Sequence, residues 1–267
     1  MKENVRPILS VAGSDSVGGA GIQADIKTIS ALGHYAMAVI TAVTAQNTLG
    51  VRLCEAVSPE MMKAQLEAVF EDIPPESVKI GMVGNAQNAS IIADMLISYN
   101  AKNIVCDPVL SATSGDRLTG DDGKKALSER IFPIADIITP NIPEAERLCN
   151  MQIESVSDME RAAERLSAVT SGAVLIKGGH MGGESAEAAN AVDILLYEGE
   201  FYRFTSPRIN NPNTHGTGCT LSSAIACGLA EGKDIPEAVR YAKEYIAKVI
   251  GNNFDIGHGR GPMWHFD

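Results

Sequence analysis

The chain is 267 residues long, 45% hydrophobic and 21% charged, an ordinary globular composition with length enough for a substantial core. Its 22 Lys+Arg against 33 Asp+Glu give a formal net charge of −11. That balance argues against nucleic acid or an anionic membrane surface as the main partner, though not against a small anion held by a few local donors. No stretch reaches the run of about 18 apolar residues that spans a membrane. The apolar run at residues 8–12 is too short for a signal-peptide core. Five scattered cysteines without a C-x-x-C pair suggest reduced thiols and a cytoplasmic protein.

In chain order, the sequence predicts a strand over residues 7–12 and then a helix over 20–32, in which Ile22, Ile26, Ile29 and Leu32 form one apolar stripe. A strand over 36–43 follows, and Ser58 caps a helix over 59–70 with proline in its first position. Strands over 78–83 and 103–109 flank a helix over 87–99. A helix over 121–130, a strand over 135–139 and a helix over 143–149 come next. Ser157-Asp158-Met159-Glu160 reads as a capping box opening a helix over 157–171. A strand over 173–177 precedes a β-hairpin, 192–197 and 200–204, turning at Glu198-Gly199. Helices over 218–230 and 236–252 finish the chain, the second opened by Asp234-Ile235-Pro236-Glu237. The alternation predicts a three-layer α/β fold, a mostly parallel central sheet with helices on both faces and a hairpin near 192–204. No linker, repeat or shift in composition divides it, so residues 1–267 are expected to form one domain.

Ligands of open α/β sheets collect beyond the carboxyl ends of the strands. Glycine and polar residues gather there in the segment 12–21, in Asp107-Pro108-Val109, in Thr139-Pro140-Asn141 and in Lys177-Gly178-Gly179-His180. Turn geometry alone explains any one of these loops; four in register point to a binding site. Before the helix at 218, the run Asn213-Thr214-His215-Gly216-Thr217-Gly218-Cys219-Thr220 offers backbone N–H groups at a positive helix end, an anion cradle able to hold charge on a phosphoryl group. A GK[ST] signature is absent, so this is not a P-loop. In the first helical turn the Cys219 thiolate should be favoured, its pKa below the free value of about 8.5, and it could take a proton from an attacking alcohol. The alternative is a small residue packing the helix start. Cys227 is read as packing; His215 could contact phosphate or cap the turn, and capping is the reading preferred.

Ala12-Gly13-Ser14-Asp15 with Gly18-Gly19-Ala20-Gly21-Ile22-Gln23-Ala24-Asp25-Ile26-Lys27-Thr28, Thr44-Ala45-Gln46-Asn47-Thr48, Lys79-Ile80-Gly81-Met82, Asp107-Pro108-Val109, Thr139-Pro140-Asn141-Ile142-Pro143-Glu144-Ala145, Lys177-Gly178-Gly179-His180 and the run at 214–220 occur in that order along nearly the whole chain. Together they resemble the bacterial hydroxymethylpyrimidine/phosphomethylpyrimidine kinases of thiamine biosynthesis, in the ribokinase-like superfamily. The resemblance implies ATP-dependent phosphorylation of 4-amino-5-hydroxymethyl-2-methylpyrimidine and then of its monophosphate, with ATP and Mg2+ required and a homodimer formed. It implies that Gly216, Thr217 and Gly218 hold the transferred phosphoryl group and that Cys219 is the base. Lys177 and Asn141 would serve the ATP phosphates, and Asp107 and Glu144 the metal. Gly13, Asp25, Gln46 and Met82 would line the pyrimidine pocket. Gln46 offers a donor and an acceptor, and Asp25 an acceptor, to an aminopyrimidine. Structural alternatives are a solvated helix position for Asp25, a strand-ending turn for Asp107, a first-turn helix acid for Glu144 and plain core for Met82. Two rival functions are a pyridoxal or pyridoxine kinase, disfavoured by Gln46, and a non-catalytic pyrimidine- or nucleotide-binding protein. Residues 178–191 are either a flap over the nucleotide or a passive excursion.

Overall fold

The computed structural model describes residues 4–110, 120–179, 190–209, 211, 213–252 and 254–266. Residues 180–189 of the expected flap at 178–191, His180 among them, lie outside them. β1 (Pro7–Asp15) pairs in parallel with β2 (Tyr35–Asn47) on one side and β4 (Ser77–Ile80) on the other. β5 (Ile104–Cys106), β6 (Ile137–Ile138) and β7 (Ala173–Lys177) extend the parallel set. Antiparallel strands close both flanks: β3 (Gly50–Ala56) turns back on β2, and the expected hairpin, β8 (Asn190–Tyr197) and β9 (Glu200–Pro207), turns back on β7. The order among the described residues is β3-β2-β1-β4-β5-β6-β7-β8-β9. Strand order therefore reverses at β1, and a crevice opens beyond its carboxyl end.

Alternation along each strand sends successive side chains to opposite faces. Leu9, Val11, Ile104, Cys106, Val174 and Ile176 meet one helical layer, made by α2 (Pro59–Asp72), α3 (Ala86–Ser98), α4 (Asp121–Ala126), α5 (Ile142–Cys149) and α6 (Val156–Ser167). Ile8, Val105, Ile137 and Leu175 meet the other, made by α1 (Gly21–Ala31), α7 (Thr217–Ala230) and α8 (Ile235–Gly251). The three expected layers form. Ser58 caps α2 by accepting the Met61 N–H, and Asp234 caps α8 by accepting that of Glu237.

Several local expectations are corrected. The segment 50–56 contains no apolar run, because β3 is an exposed edge strand held by its hydrogen bonds to β2 rather than by burial. The cap of α6 is Ser155, not Ser157: its side chain accepts the Asp158 N–H, and the Asp158 carboxylate returns to the Glu154 N–H. The helix also ends at Ser167, short of residue 171. The helix expected over 121–130 is α-helical only to Ala126 and continues as a π-turn, Leu127–Ile131, that buries Leu127 and Ile131. In α1, Ile22 and Ile29 are buried but Ile26 is exposed; the inward face is completed by Ala24, Asp25 and Thr28.

Asp25 is thus neither solvated nor open to a ligand. Its carboxylate is fully buried, salt-bridged to the equally buried Lys79 of β4 at 2.8 Å. It also accepts from Ser10 of β1 at 2.5 Å and from Ser223 of α7 at 2.8 Å. On β4, Val78 and Ile80 face the first layer, while Ser77 and Lys79 face the second, Ser77 donating to the Ala226 carbonyl at 2.9 Å. One ion pair joins two strands and two helices. Replacing one partner leaves an unpaired charge in the core, so Lys79→Met should lower unfolding free energy by about 3–5 kcal/mol in urea titrations, and Asp25→Asn combined with it should restore most of the loss.

Candidate active site

A cavity of about 590 Å³ lies beyond the carboxyl ends of the strands at the switch point. Its β1–β2 side is lined by Gly13, Thr44, Gln46 and Met82, its centre by Asp107, Asn141, Glu144, Lys177 and residues 216–219, and its β7–β8 side by Ala191, Leu221, Ile246 and Ile250. Every expected site residue except Asp25 contributes to the lining. Asp25 is corrected from a pyrimidine contact to a buried support, all its oxygens being engaged by Lys79, Ser10 and Ser223. Gly13 makes room for Met82: a Cβ there would stand 2.3 Å from the methionine Cε.

The anion turn precedes α7. Gly216 is the N-cap with φ +88°, and a Cβ on it would come within 1.9 Å of the Gly19 carbonyl oxygen, so only glycine fits the close approach of the two loops. Thr220 N–H makes an early helical bond, to Gly216 O at 2.9 Å, so the amides of Gly218 and Cys219 stand at the open positive end of the helix. The turn is clasped from both sides. His215 Nε2 meets Asp15 Oδ2 at 2.8 Å, and the same carboxylate accepts the N–H groups of Val17, Gly19 and Ala20. Burial alone would raise the Asp15 carboxyl; His215 and these amides hold it below its ordinary value. From the other side, Asn213 Oδ1 accepts the Gly261 N–H at 3.0 Å, and Thr220 Oγ1 lies 3.0 Å from His265 Nε2. His215 therefore does more than cap a turn.

The centre combines charges of both signs. Lys177 Nζ donates to Asp107 Oδ1 at 2.6 Å, and Thr139 donates to the same oxygen at 3.1 Å. A Cβ on Gly218 would stand 3.2 Å from Lys177 Nζ and 3.3 Å from Asp107 Oδ2, which places the pair directly against the anion turn. Burial alone would lower the Lys177 ammonium, but Asp107 and Glu144 raise it, so it stays charged. Asn141 and Glu144 form a reciprocal capping box at the start of α5, each accepting the other's N–H at 2.9 Å. The helix-acid alternative for Glu144 thus holds together with its place in the cavity wall. Burial pushes its carboxyl up to about 7, with Lys177 pulling down and Asp107 pushing up.

Cys219 departs from expectation. Burial pushes its thiol up to about 11, against the opposing pull of Lys79 and the Gly21 amide. The helix end is outweighed because desolvation at the cavity wall and the carboxylates of Asp25 and Asp107 disfavour the thiolate. Lys79, Asp15 and Thr44 carried no role in the sequence reading. A lysine at an inward position of a buried strand and an aspartate on the apolar stripe of a helix were the available signal for the first.

Residues 15–264 match the family described as phosphomethylpyrimidine kinase. The chain is 48% identical over 258 residues to the thiamine biosynthesis bifunctional protein of Geobacter sulfurreducens, covering 97% of this chain and 52% of that protein, about half its length. It is 48% identical over 262 residues to the hydroxymethylpyrimidine/phosphomethylpyrimidine kinase of Rhizobium meliloti, covering 97% and 96% of the two. The crystal structure of phosphomethylpyrimidine kinase from Clostridium difficile superposes with a TM-score of 0.80 at 47% identity, covering 92% of this chain and 99% of that one. The pyridoxal kinase of Staphylococcus aureus in complex with AMP-PCP and pyridoxal gives a TM-score of 0.88 at 29% identity, covering 98% and 93%.

Because the thiolate is the reactive form, Cys219 should be alkylated slowly at neutral pH and faster as pH rises towards about 11. Mass spectrometry after iodoacetamide treatment at a series of pH values reads this residue by residue; rapid alkylation at pH 7 would contradict the environment described.

Proposed function

The chain belongs to the phosphomethylpyrimidine kinase family, and we propose that it moves the γ-phosphoryl group of ATP to the hydroxymethyl oxygen of 4-amino-5-hydroxymethyl-2-methylpyrimidine, and then phosphorylates the monophosphate to the pyrophosphate used in thiamine biosynthesis. One observation carries the reading: a single cavity joins the Gln46 amide to the anion turn, Cys219, Lys177 and two carboxylates. The acceptor ring takes the β1–β2 side against Met82 and Gln46. ATP takes the β7–β8 side, its base against Leu221, Ile246 and Ile250 and its phosphates towards Lys177 and the amides of Gly218 and Cys219.

Phosphoryl transfer needs positioning and charge neutralisation more than covalent help. The acceptor oxygen attacks the γ-phosphorus, its proton passes to the Cys219 thiolate, and the bond to the bridging oxygen of ADP breaks. Lys79 and the Gly21 amide are the groups that favour the thiolate. Gly216–Gly218 hold the charge of the phosphoryl oxygens. Among the described residues no three His, Cys, Asp or Glu side chains converge as a ready metal cage. Asp107 and Glu144 do supply two buried carboxylates beside Lys177, a donor set that fits Mg2+, which keeps waters and takes phosphate oxygens for its remaining positions. Bound there, Mg2+ would neutralise charge on the β- and γ-phosphates.

All five cysteines are free thiols, which supports a cytoplasmic setting; no helix among the described residues is long and apolar enough to cross a membrane. A homodimer is supported by the exposed apolar residues Val43, Leu49 and Leu53 on the β2–β3 edge. Sedimentation at twice the chain mass is expected, and Leu53→Lys should shift it towards the monomer; a monomeric wild type removes the assembly from the reading. The continuous sheet supports one kinase domain over 1–267.

ADP release with Mg-ATP should favour the aminopyrimidine strongly over pyridoxal. Gln46→Met should abolish that preference, and Cys219→Ala should cost about 10²–10⁴-fold in kcat together with the alkaline rise in kcat/KM. Preference for pyridoxal would overturn the substrate, and no ADP release with either acceptor would favour a binding protein.

A further inference from the structure

The Gln46 amide sits between two polar neighbours, Thr44 and His215, whose hydrogen count is fixed by chemistry. The Thr44 hydroxyl lies 3.0 Å from the Ser14 carbonyl oxygen and 3.2 Å from the Gln46 amide. It has one proton, and the carbonyl oxygen can only accept, so the proton goes to Ser14 and the hydroxyl oxygen faces Gln46 as an acceptor. His215 Nε2 stands 2.8 Å from Asp15 Oδ2 and 3.4 Å from the amide. The Asp15 carboxylate, already accepting three backbone amides and held below its ordinary pKa, is ionised and can only accept. His215 Nε2 therefore carries its one proton, directed at Asp15, and offers Gln46 a positive ring edge with no lone pair to accept an amide hydrogen.

An acceptor on one side and a positive edge without a lone pair on the other favour one amide orientation: NH2 towards Thr44 and oxygen towards His215, reached by a half-turn about the last side-chain bond. In the reverse orientation two donors would meet at His215. Satisfying both neighbours leaves one N–H and one oxygen lone pair of Gln46 for the cavity. That pair of groups matches a ring nitrogen beside an exocyclic amine. Gln46 is also tied by its backbone, exchanging bonds of 2.8 and 2.9 Å with the Ser16 hydroxyl. The residue is held at both ends, with its polarity set from behind.

We propose that Asp15 and His215, with Thr44, are positioning residues that fix the polarity of the Gln46 amide and thereby the preference for an aminopyrimidine acceptor. The inference rests on Gln46 being the partner of the acceptor ring. Asp15 orients the imidazole, the imidazole holds the amide oxygen, and Thr44 takes the amide hydrogen. The same imidazole packs on Gly19, where an added Cβ would come within 2.3 Å of its Cδ2, so the ring has little freedom to turn away. A merely structural His215 would instead act through the anion turn next to it in sequence.

The test is a split between binding and turnover. His215→Phe keeps the ring volume and removes both nitrogens; it should raise KM for the aminopyrimidine about tenfold or more, a larger change than in kcat or the ADP dissociation constant, which report its clasp on the anion turn. Thr44→Val does not touch the anion turn and should raise the same KM by about fivefold, and it serves if the first variant does not fold. Unchanged KM in a folded Thr44→Val, or a fall in kcat with KM unchanged in His215→Phe, would overturn the proposal. Gln46→Met separates the two levels. If it raises KM and the positioning variants do not, this inference fails alone. If Gln46→Met leaves KM unchanged, the placement of the acceptor ring fails, whatever the other variants do.

Discussion

A fully buried ammonium group, Lys79, held by an equally buried carboxylate, Asp25, is the constraint on which the rest of the site depends. Neither charge is tolerable in the core alone, so the strand that carries the lysine and the helix that carries the aspartate have essentially one relative placement. Ser10 and Ser223 use the remaining acceptor capacity of the same carboxylate, which extends the constraint to β1 and α7. These are the elements whose ends form the switch-point loop and the anion turn. On α1, Asp25 lies one helical turn after Gly21; on α7, Ser223 lies one turn after Cys219. The bond between Asp25 and Ser223 thus brings together, one turn higher, the Gly21 amide and the Cys219 sulfur on which it acts.

The anion turn is held by contact from its neighbours. The switch-point loop reaches it through Asp15 and His215, and the chain's last described segment reaches it through Gly261 and His265. Lys177 and Asp107 press against it at Gly218. Such a turn has its amides aimed before any phosphate arrives, which is what electrostatic stabilisation of a moving phosphoryl group requires. The environment that aims the amides also buries the thiol beside them. Cys219 is therefore a weak acid in the free protein, and its thiolate, once formed, is a correspondingly strong base for the acceptor proton.

Much of this was legible in the chain. Leu9 and Val11 against Ile8, or Val174 and Ile176 against Leu175, announce strands buried on both faces, and caps such as Ser58 and Asp234 mark helix starts through local hydrogen bonds that need no tertiary partner. Elements governed by neighbours were less legible. β3 is held by pairing with β2, and its side chains carry no burial pattern to read. Ser155 outcompeted Ser157 as the α6 cap because Asp158 closes back on residues 154 and 155. The run at 121–130 has helical composition, and its widening into a π-turn goes with the burial of Leu127 and Ile131 where it packs on α3.

The same division runs through the site. Sequence alone determined which chemistry was present and roughly where: a glycine turn at a helix start, acids and a lysine at strand ends, an amide able to pair with an aminopyrimidine. Local conformation and strand-end geometry are short-range properties, and residue types with their spacing encode them. Only the tertiary structure decided that Asp25 faces Lys79 rather than a ligand, that Glu144 stands in the cavity wall beside Lys177 and Asp107, and that burial outweighs the helix end at Cys219. Those outcomes depend on which distant groups share a low-dielectric space, as Asp25 and Lys79 do 54 residues apart, and no local pattern carries that information.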